Sequence, residues 1–202
     1  VLSQTPPPSS TRVDKNQVYG MYSGLALLMD VHYPVKPNGY GILYISGSGW
    51  TAPTELNALP LKDNGQTAMY VKPLVEAGYT VFAINHRSAP RFHYPAPVED
   101  AQRAVRFIRF NAGRFKIRPD RIGAAGGSSG GHLASPLFHV TNDDPPFLLI
   151  HGDADKTVPI KNSEVMEQAL RKVGVEVKLV TVPGGGHGPK FPGAINPPDY
   201  LG

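Results

Sequence analysis

Cysteine is missing from all 202 residues. Disulfides, thiolate nucleophiles and cysteine-bound zinc are therefore excluded, although the absence identifies no compartment. Long apolar runs are missing too, and nothing approaches the roughly 18 residues of a membrane-spanning helix. Charge of one sign never accumulates. The 20 basic and 16 acidic residues give a net charge of +4 and are scattered along the chain. A nucleic-acid partner would need a basic stripe, and none is visible. No secretory leader opens the chain, which runs from Val1 straight into the polar, Pro-rich stretch Ser3 to Ser10. A start at Val rather than Met reads as processed or trimmed, and the expectation is a secreted or periplasmic protein.

A hydrophobic content of 41% is ordinary for a globular chain of this length. Residues 1–15 read as a flexible N-terminal tail and 16–202 as a single domain, with no internal repeat. Leu25 to Tyr33, Ile42 to Ile45, Tyr79 to Ile84, Arg121 to Ala125, Phe147 to Ile150 and Val175 to Val182 read as strands. Helices are expected over Thr67 to Ala77, residues 98–110, and Lys161 to Val173. In the second of these, Val98, Ala101, Val105 and Ile108 share one face. Strands alternating with helices indicate an α/β fold with a mainly parallel sheet flanked by helices.

The strongest local signal is Gly127-Ser128-Ser129-Gly130-Gly131, a G-x-S-x-G pattern between a strand and a short helix. Such a turn strains the serine backbone, demands small neighbours and exposes the hydroxyl. Ser129 is the candidate nucleophile on this reading. The plain alternative is a glycine-rich turn without chemistry. A phosphate loop is excluded, since no Gly-Lys-Ser/Thr follows, and the spacing suits a dinucleotide fingerprint poorly. Asp155 lies in a loop just beyond strand 147–150, and His187 lies in the glycine-lined Gly184 to Gly188 beyond strand 175–182. Serine, acid and base in that chain order suit Ser129, Asp155 and His187 as a triad. Asp153 is the second choice of acid. His139 precedes the acid and fails the order, and His132 reads as packed on the elbow helix. Oxyanion donors are expected from the amides of Gly130, Ser48 and Gly49. Trp50 and Tyr94 are candidates for an aromatic, substrate-binding wall.

These segments resemble the lipase/esterase branch of the α/β-hydrolases, close to bacterial carboxylesterases and feruloyl-esterase-like enzymes. Ile45 to Trp50 stands where that family has His-Gly-Gly-Gly-Trp. His86 to Pro90 resembles Tyr-Arg-x-Ala-Pro, and Pro95 to Asp100 resembles Pro-Ala-x-x-x-Asp. Asp120 to Gly123 and Gly126 to Ala134 resemble the entering strand and the elbow. His151 to Pro159 and Gly184 to Gly188 resemble the acid and histidine loops. The resemblance implies hydrolysis of a small-molecule or polymer-linked ester without metal or organic cofactor. It leaves the oligomeric state open.

Ser46 and Ser48 replace the family's His and Gly. Asp155 follows Ser129 by only 26 residues (155 − 129). The expectation is that the lid and sixth-strand region is missing between Ser135 and Pro136, and the last helix after Gly202. A peptidase of the same fold and an inactive, hydrolase-like binding module are the competing readings.

Overall fold

Side chains alternate between the two faces of a strand, and in this chain both faces of the central strands are apolar. The computed structural model describes residues 11–55, 57–134, 142 and 145–198. These residues cluster into two compact units that divide at Ser135, within the span read from sequence as a single domain. The suspected break between Ser135 and Pro136 lies outside the described residues.

The first unit carries a five-stranded sheet of order β1-β2-β4-β3-β5. Its strands are β1 (Arg12–Tyr22), β2 (Leu25–Tyr33), β3 (Gly41–Ile45), β4 (Thr80–Ile84) and β5 (Ile122–Gly126). β3 lies parallel to both β4 and β5, whereas β1·β2 and β2·β4 are antiparallel, so the sheet is mixed. Leu43, Ile45, Phe82 and Ile84 point to one face, where they meet helix α2 (Ala96–Phe110) and the short helix α3 (Ala112–Phe115). Tyr44, Val81 and Ala83 point to the other, against Val71 and Val75 of helix α1 (Gly65–Glu76).

β1 is the strand that sequence reasoning missed, and it takes in Arg12 to Lys15 of the expected tail. The strand is polar and Tyr19 is its one buried residue, so no apolar periodicity marks it. A signal was available in the turn. Ser23 and Gly24, both at positive φ (46° and 85°), form the two-residue link that right-twisted hairpins favour. On α2 the face expected from spacing is shifted. Ala101, Ala104 and Ile108 are buried, while Val98 and Val105 are only partly so.

A buried ion pair ties three of these elements together. Arg87, just beyond β4, donates from Nε and a terminal nitrogen to Asp100 on α2 at 2.8–3.0 Å. Its guanidinium also lies 4.1 Å from the ring centre of Tyr22 at the end of β1.

The second unit is a parallel pair, β6 (Phe147–Gly152) and β7 (Val177–Val182), covered by helix α5 (Lys161–Lys172). Met166, Leu170, Val175 and Val177 form its core. No helix among the described residues is long and apolar enough to cross a membrane.

Phe82 is fully buried and meets Phe115 edge-on at 4.9 Å. Phe82→Ala should lower stability by about 3–5 kcal/mol. Urea unfolding followed by tryptophan fluorescence and circular dichroism measures this. A loss under about 1 kcal/mol would contradict the packing described.

Candidate active site

β5 runs into a turn that leads directly to helix α4 (Ser129–Ala134). Ser128 takes the left-handed conformation there, with φ +52°. A non-glycine residue adopts this conformation at a cost and needs surrounding structure to hold it. That structure is backbone packed on backbone. A Cβ on Gly130 would collide with the carbonyl of Ile45, and one on Gly126 would lie 2.5 Å from the carbonyl carbon of Gly130. Ser128 is exposed, whereas Ser129 is 2% exposed.

The elbow features expected at Ser129 are therefore found one residue earlier. The sequence holds two overlapping frames, Gly126-x-Ser128-x-Gly130 and Gly127-x-Ser129-x-Gly131. The strain and exposure expected of Ser129 belong to Ser128, and the close approaches belong to Gly126 and Gly130. Ser129 instead points inward, and its Oγ accepts a hydrogen bond from the Ser48 amide at 2.9 Å.

Two of the expected oxyanion donors already have hydrogen-bond partners. The Gly130 amide donates to the Gly127 carbonyl at 2.9 Å, an ordinary bond of the tight turn. The Ser48 amide is taken up by Ser129. If Ser128 is the reacting residue, the amide that follows it is that of Ser129, at the first position of α4. Of the expected loop donors, that leaves the Gly49 amide as the candidate. It has φ +61° and Trp50 has φ +59°, and the loop is held by Thr51 N–H to Ser48 O at 3.1 Å and Ala89 N–H to Trp50 O at 2.9 Å. Ser46, in the family's His position, accepts from Asn64 Nδ2 at 2.5 Å. Asn64 also caps α1 by accepting from the Thr67 amide, so the loop after β3 is fastened to a helix start.

In the second unit the acid and base expected from sequence lie together. His187 Nδ1–H donates to Asp155 Oδ2 at 2.7 Å, which leaves Nε2 as the basic nitrogen of the ring. Asp155 Oδ1 accepts from the amides of Thr157 and Val158 at 2.8 and 2.9 Å. Burial pushes the Asp155 carboxyl upward, but the Val158 amide, His187 and the Thr157 amide outweigh it and hold the group below the usual carboxylate range.

Asp153, the second choice, is occupied elsewhere, since it accepts from the Gly184 amide at 2.7 Å. It fixes the start of the histidine loop rather than the ring. His151 was not singled out from sequence, yet its Nε2 is 3.4 Å from Asp155 Oδ2 and donates to Val158 O at 2.9 Å. Its place at the end of the strand entering the acid loop was the available signal.

Trp50 is 44% exposed and packs edge-on against His132, with ring centres 5.3 Å apart. Tyr94 is 71% exposed at the surface. Neither lines the cavity of about 250 Å³ in the first unit, which is walled by residues from β2, the loop after Thr51 and the segment after β4.

The chain matches two family models, BD-FAE over residues 29–135 and the prolyl oligopeptidase family over residues 132–198. It is similar to a probable carboxylic ester hydrolase, LipM, of Mycobacterium tuberculosis, at 32% identity over 58% of this chain and 25% of that protein. It is similar to carboxylesterase NlhH of the same organism, at 30% identity over 63% of this chain and 39% of that protein. It thus spans well under half the length of these curated relatives. Among solved structures it resembles a truncated carbohydrate esterase from gut microbiota, with TM-score 0.74, 25% identity, and 88% of this chain and 90% of that one covered. A thermophilic esterase from Thermogutta terrifontis shares the fold, with TM-score 0.74, 21% identity, and 92% and 86% covered.

A carboxyl held below its unfolded value of about 3.9 stabilises the fold above that pH, and the contribution disappears as pH falls through the folded value. The stability difference between the native protein and Asp155→Asn should be constant above about pH 5 and shrink on acidification below about pH 4. Thermal unfolding across pH measures it. A difference unchanged down to about pH 3 would contradict the bonding assigned to Asp155.

Proposed function

Because the chain belongs to the BD-FAE family, whose model it matches over more than half its length, we propose that it hydrolyses carboxylic esters with Ser128, His187 and Asp155. The observation that carries this reading is the strained, exposed Ser128 at the tip of a glycine-walled turn. The Asp155–His187 pair supports it.

The chemistry follows from those atoms. Ser128 Oγ attacks the ester carbonyl carbon while His187 Nε2 takes its proton. Asp155 holds the ring in the tautomer with its proton on Nδ1 and favours the imidazolium that forms. The tetrahedral oxyanion accepts hydrogen bonds from the amides of Ser129 and Gly49, each worth about 3–4 kcal/mol in comparable hydrolases. The carbon–oxygen bond to the alcohol breaks, and His187 returns its proton to the departing oxygen. Water then attacks the acyl-enzyme, His187 takes the water's proton, and Ser128 is restored as the acid leaves. Trp50 suits a small or aromatic acyl group.

The second match, to the prolyl oligopeptidase family over residues 132–198, favours a peptidase as the alternative. A p-nitrophenyl acetate assay beside a peptide anilide assay separates the two, and ester turnover alone is the expected result.

Ser128→Ala should abolish labelling by a fluorophosphonate probe and lower kcat by at least about a thousandfold. Ser129→Ala should still be labelled. Labelled Ser128→Ala and unlabelled Ser129→Ala would return the nucleophile to Ser129.

A further inference from the structure

Part of the basic charge scattered along the chain is gathered by the fold at one end of the first unit. Seven of the 21 residues from Ala101 to Arg121 are basic and only Asp120 is acidic, a net charge of +6 (7 − 1). The whole chain carries +4, so the remainder is net −2 (4 − 6). No two of the seven are adjacent, which is why the sequence shows no run. Arg103 lies against Gly20 of β1. Arg106, Arg109, Arg114, Lys116, Arg118 and Arg121 are all exposed.

Little of this charge is neutralised. Asp120 is shared by Arg118 at 3.0 Å and Arg121 at 3.6 Å. Arg109 donates to the Pro119 carbonyl at 3.2 Å and Arg114 to the Gln17 side chain, both uncharged partners. The side chains of Arg106 and Lys116 have no hydrogen bond or ion pair among the described residues. Like charges crowded on one surface repel, and an anionic partner relieves that repulsion.

An uncovered aromatic ring stands among these cations. Phe110, the last residue of α2, is 91% exposed. It lies four residues beyond Arg106, and so beside it on the helix surface. Tyr40, also exposed, meets Tyr79 with ring centres 6.2 Å apart. The main chain fastens Tyr40 to the basic segment, through Arg118 N–H to Gly39 O at 2.9 Å and Gly41 N–H to Arg121 O at 3.0 Å. A dissolved polyanion would neutralise the cations and leave the phenyl ring in water. An anionic bilayer answers both, because its phosphates face basic side chains while the boundary below them receives an apolar ring. Tyrosines suit the headgroup level of such a surface.

Residues 111–121 lead straight into β5, so the patch lies where the parallel strands β3, β4 and β5 begin. The loop after β3 and the turn holding Ser128 leave the opposite end of the sheet. We propose that the basic end of the first unit docks on an anionic lipid surface, with Phe110 inserted below the headgroups and the six exposed cations facing the lipid phosphates. Docked this way, Ser128 faces away from the lipid, toward dissolved substrate.

The test is sedimentation of the protein with vesicles of phosphatidylcholine that carry about 30% phosphatidylglycerol. The native protein should sediment with these vesicles and not with pure phosphatidylcholine. It should be released at about 0.5 M salt, where screening confines each charge to a few ångström. Arg106→Gln combined with Lys116→Gln should lower the partition coefficient about 25-fold, at about fivefold for each charge removed. Phe110→Ala should lower it about tenfold. All three positions are exposed, and circular dichroism should show native folding of each variant.

Lys172→Gln combined with Lys178→Gln removes the same charge from exposed positions of the second unit and should leave binding as in the native protein. An equal loss in that pair overturns the proposal, because net charge rather than the patch then does the binding. Partition unchanged by Phe110→Ala overturns it too. Retention on duplex DNA or a sulfated polysaccharide without binding to the phosphatidylglycerol vesicles replaces the lipid surface with a dissolved polyanion and likewise overturns it. Sedimentation is read without turnover, so its outcome does not depend on the esterase reading.

Discussion

At the turn between β5 and α4, backbones press against one another with no room for a side chain. Gly130 lies on the carbonyl of Ile45, Gly126 lies against Gly130, and Gly47 approaches the carbonyl of Gly127. Everything proposed for the serine follows from that crowding. It forces the neighbouring residue into left-handed backbone, and it brings the loop after β3 alongside the start of α4. It also leaves the Ser129 amide at the helix's first position, where the helix dipole favours developing negative charge. Trp50 and Ser128 sit at positive φ, a conformation that costs a side-chain-bearing residue roughly 1–2 kcal/mol. The fold meets that cost through the sheet behind it, whose central strands are buried on both faces.

The carboxylate–imidazole pair is built on a different principle. Asp155 is oriented by main-chain amides rather than by crowding, since one of its oxygens takes the Thr157 and Val158 amides and leaves the other for His187. An acceptor held this way keeps its charge and its direction without relying on a second side chain.

Much of this was legible in the residues themselves. Strand 42–45 shows as an unbroken apolar run because both its faces are covered, strand 147–150 shows the same run although Leu148 is 60% exposed, and helix 98–110 shows by its spacing. Asp155 and His187 were legible because the end of a parallel strand is where such a fold presents its loops. β1 was not, because an edge strand needs little apolar surface, and only the Ser23-Gly24 turn betrays it. The one-residue offset at the elbow, between the serine expected to be strained and the one that is, has a plain cause. Gly126 to Gly131 satisfies the same pattern twice, and the choice between frames depends on which glycines touch Ile45, a contact made across a sheet that composition does not encode. The partners of the Ser48 and Gly130 amides were illegible for the same reason, since a sequence does not say which donors the fold has already engaged.

Gly152, at the end of β6, would carry its Cβ into the carbonyl of Gly185, and the Ala154 amide bonds to that same carbonyl at 3.0 Å. The strand end that launches the acid and the loop that holds the histidine are thus joined main chain to main chain. Neither can drift without dragging the other, so the two groups behave as one cassette. Divergence in what such a protein acts on has to be written elsewhere, in loops free to change their shape.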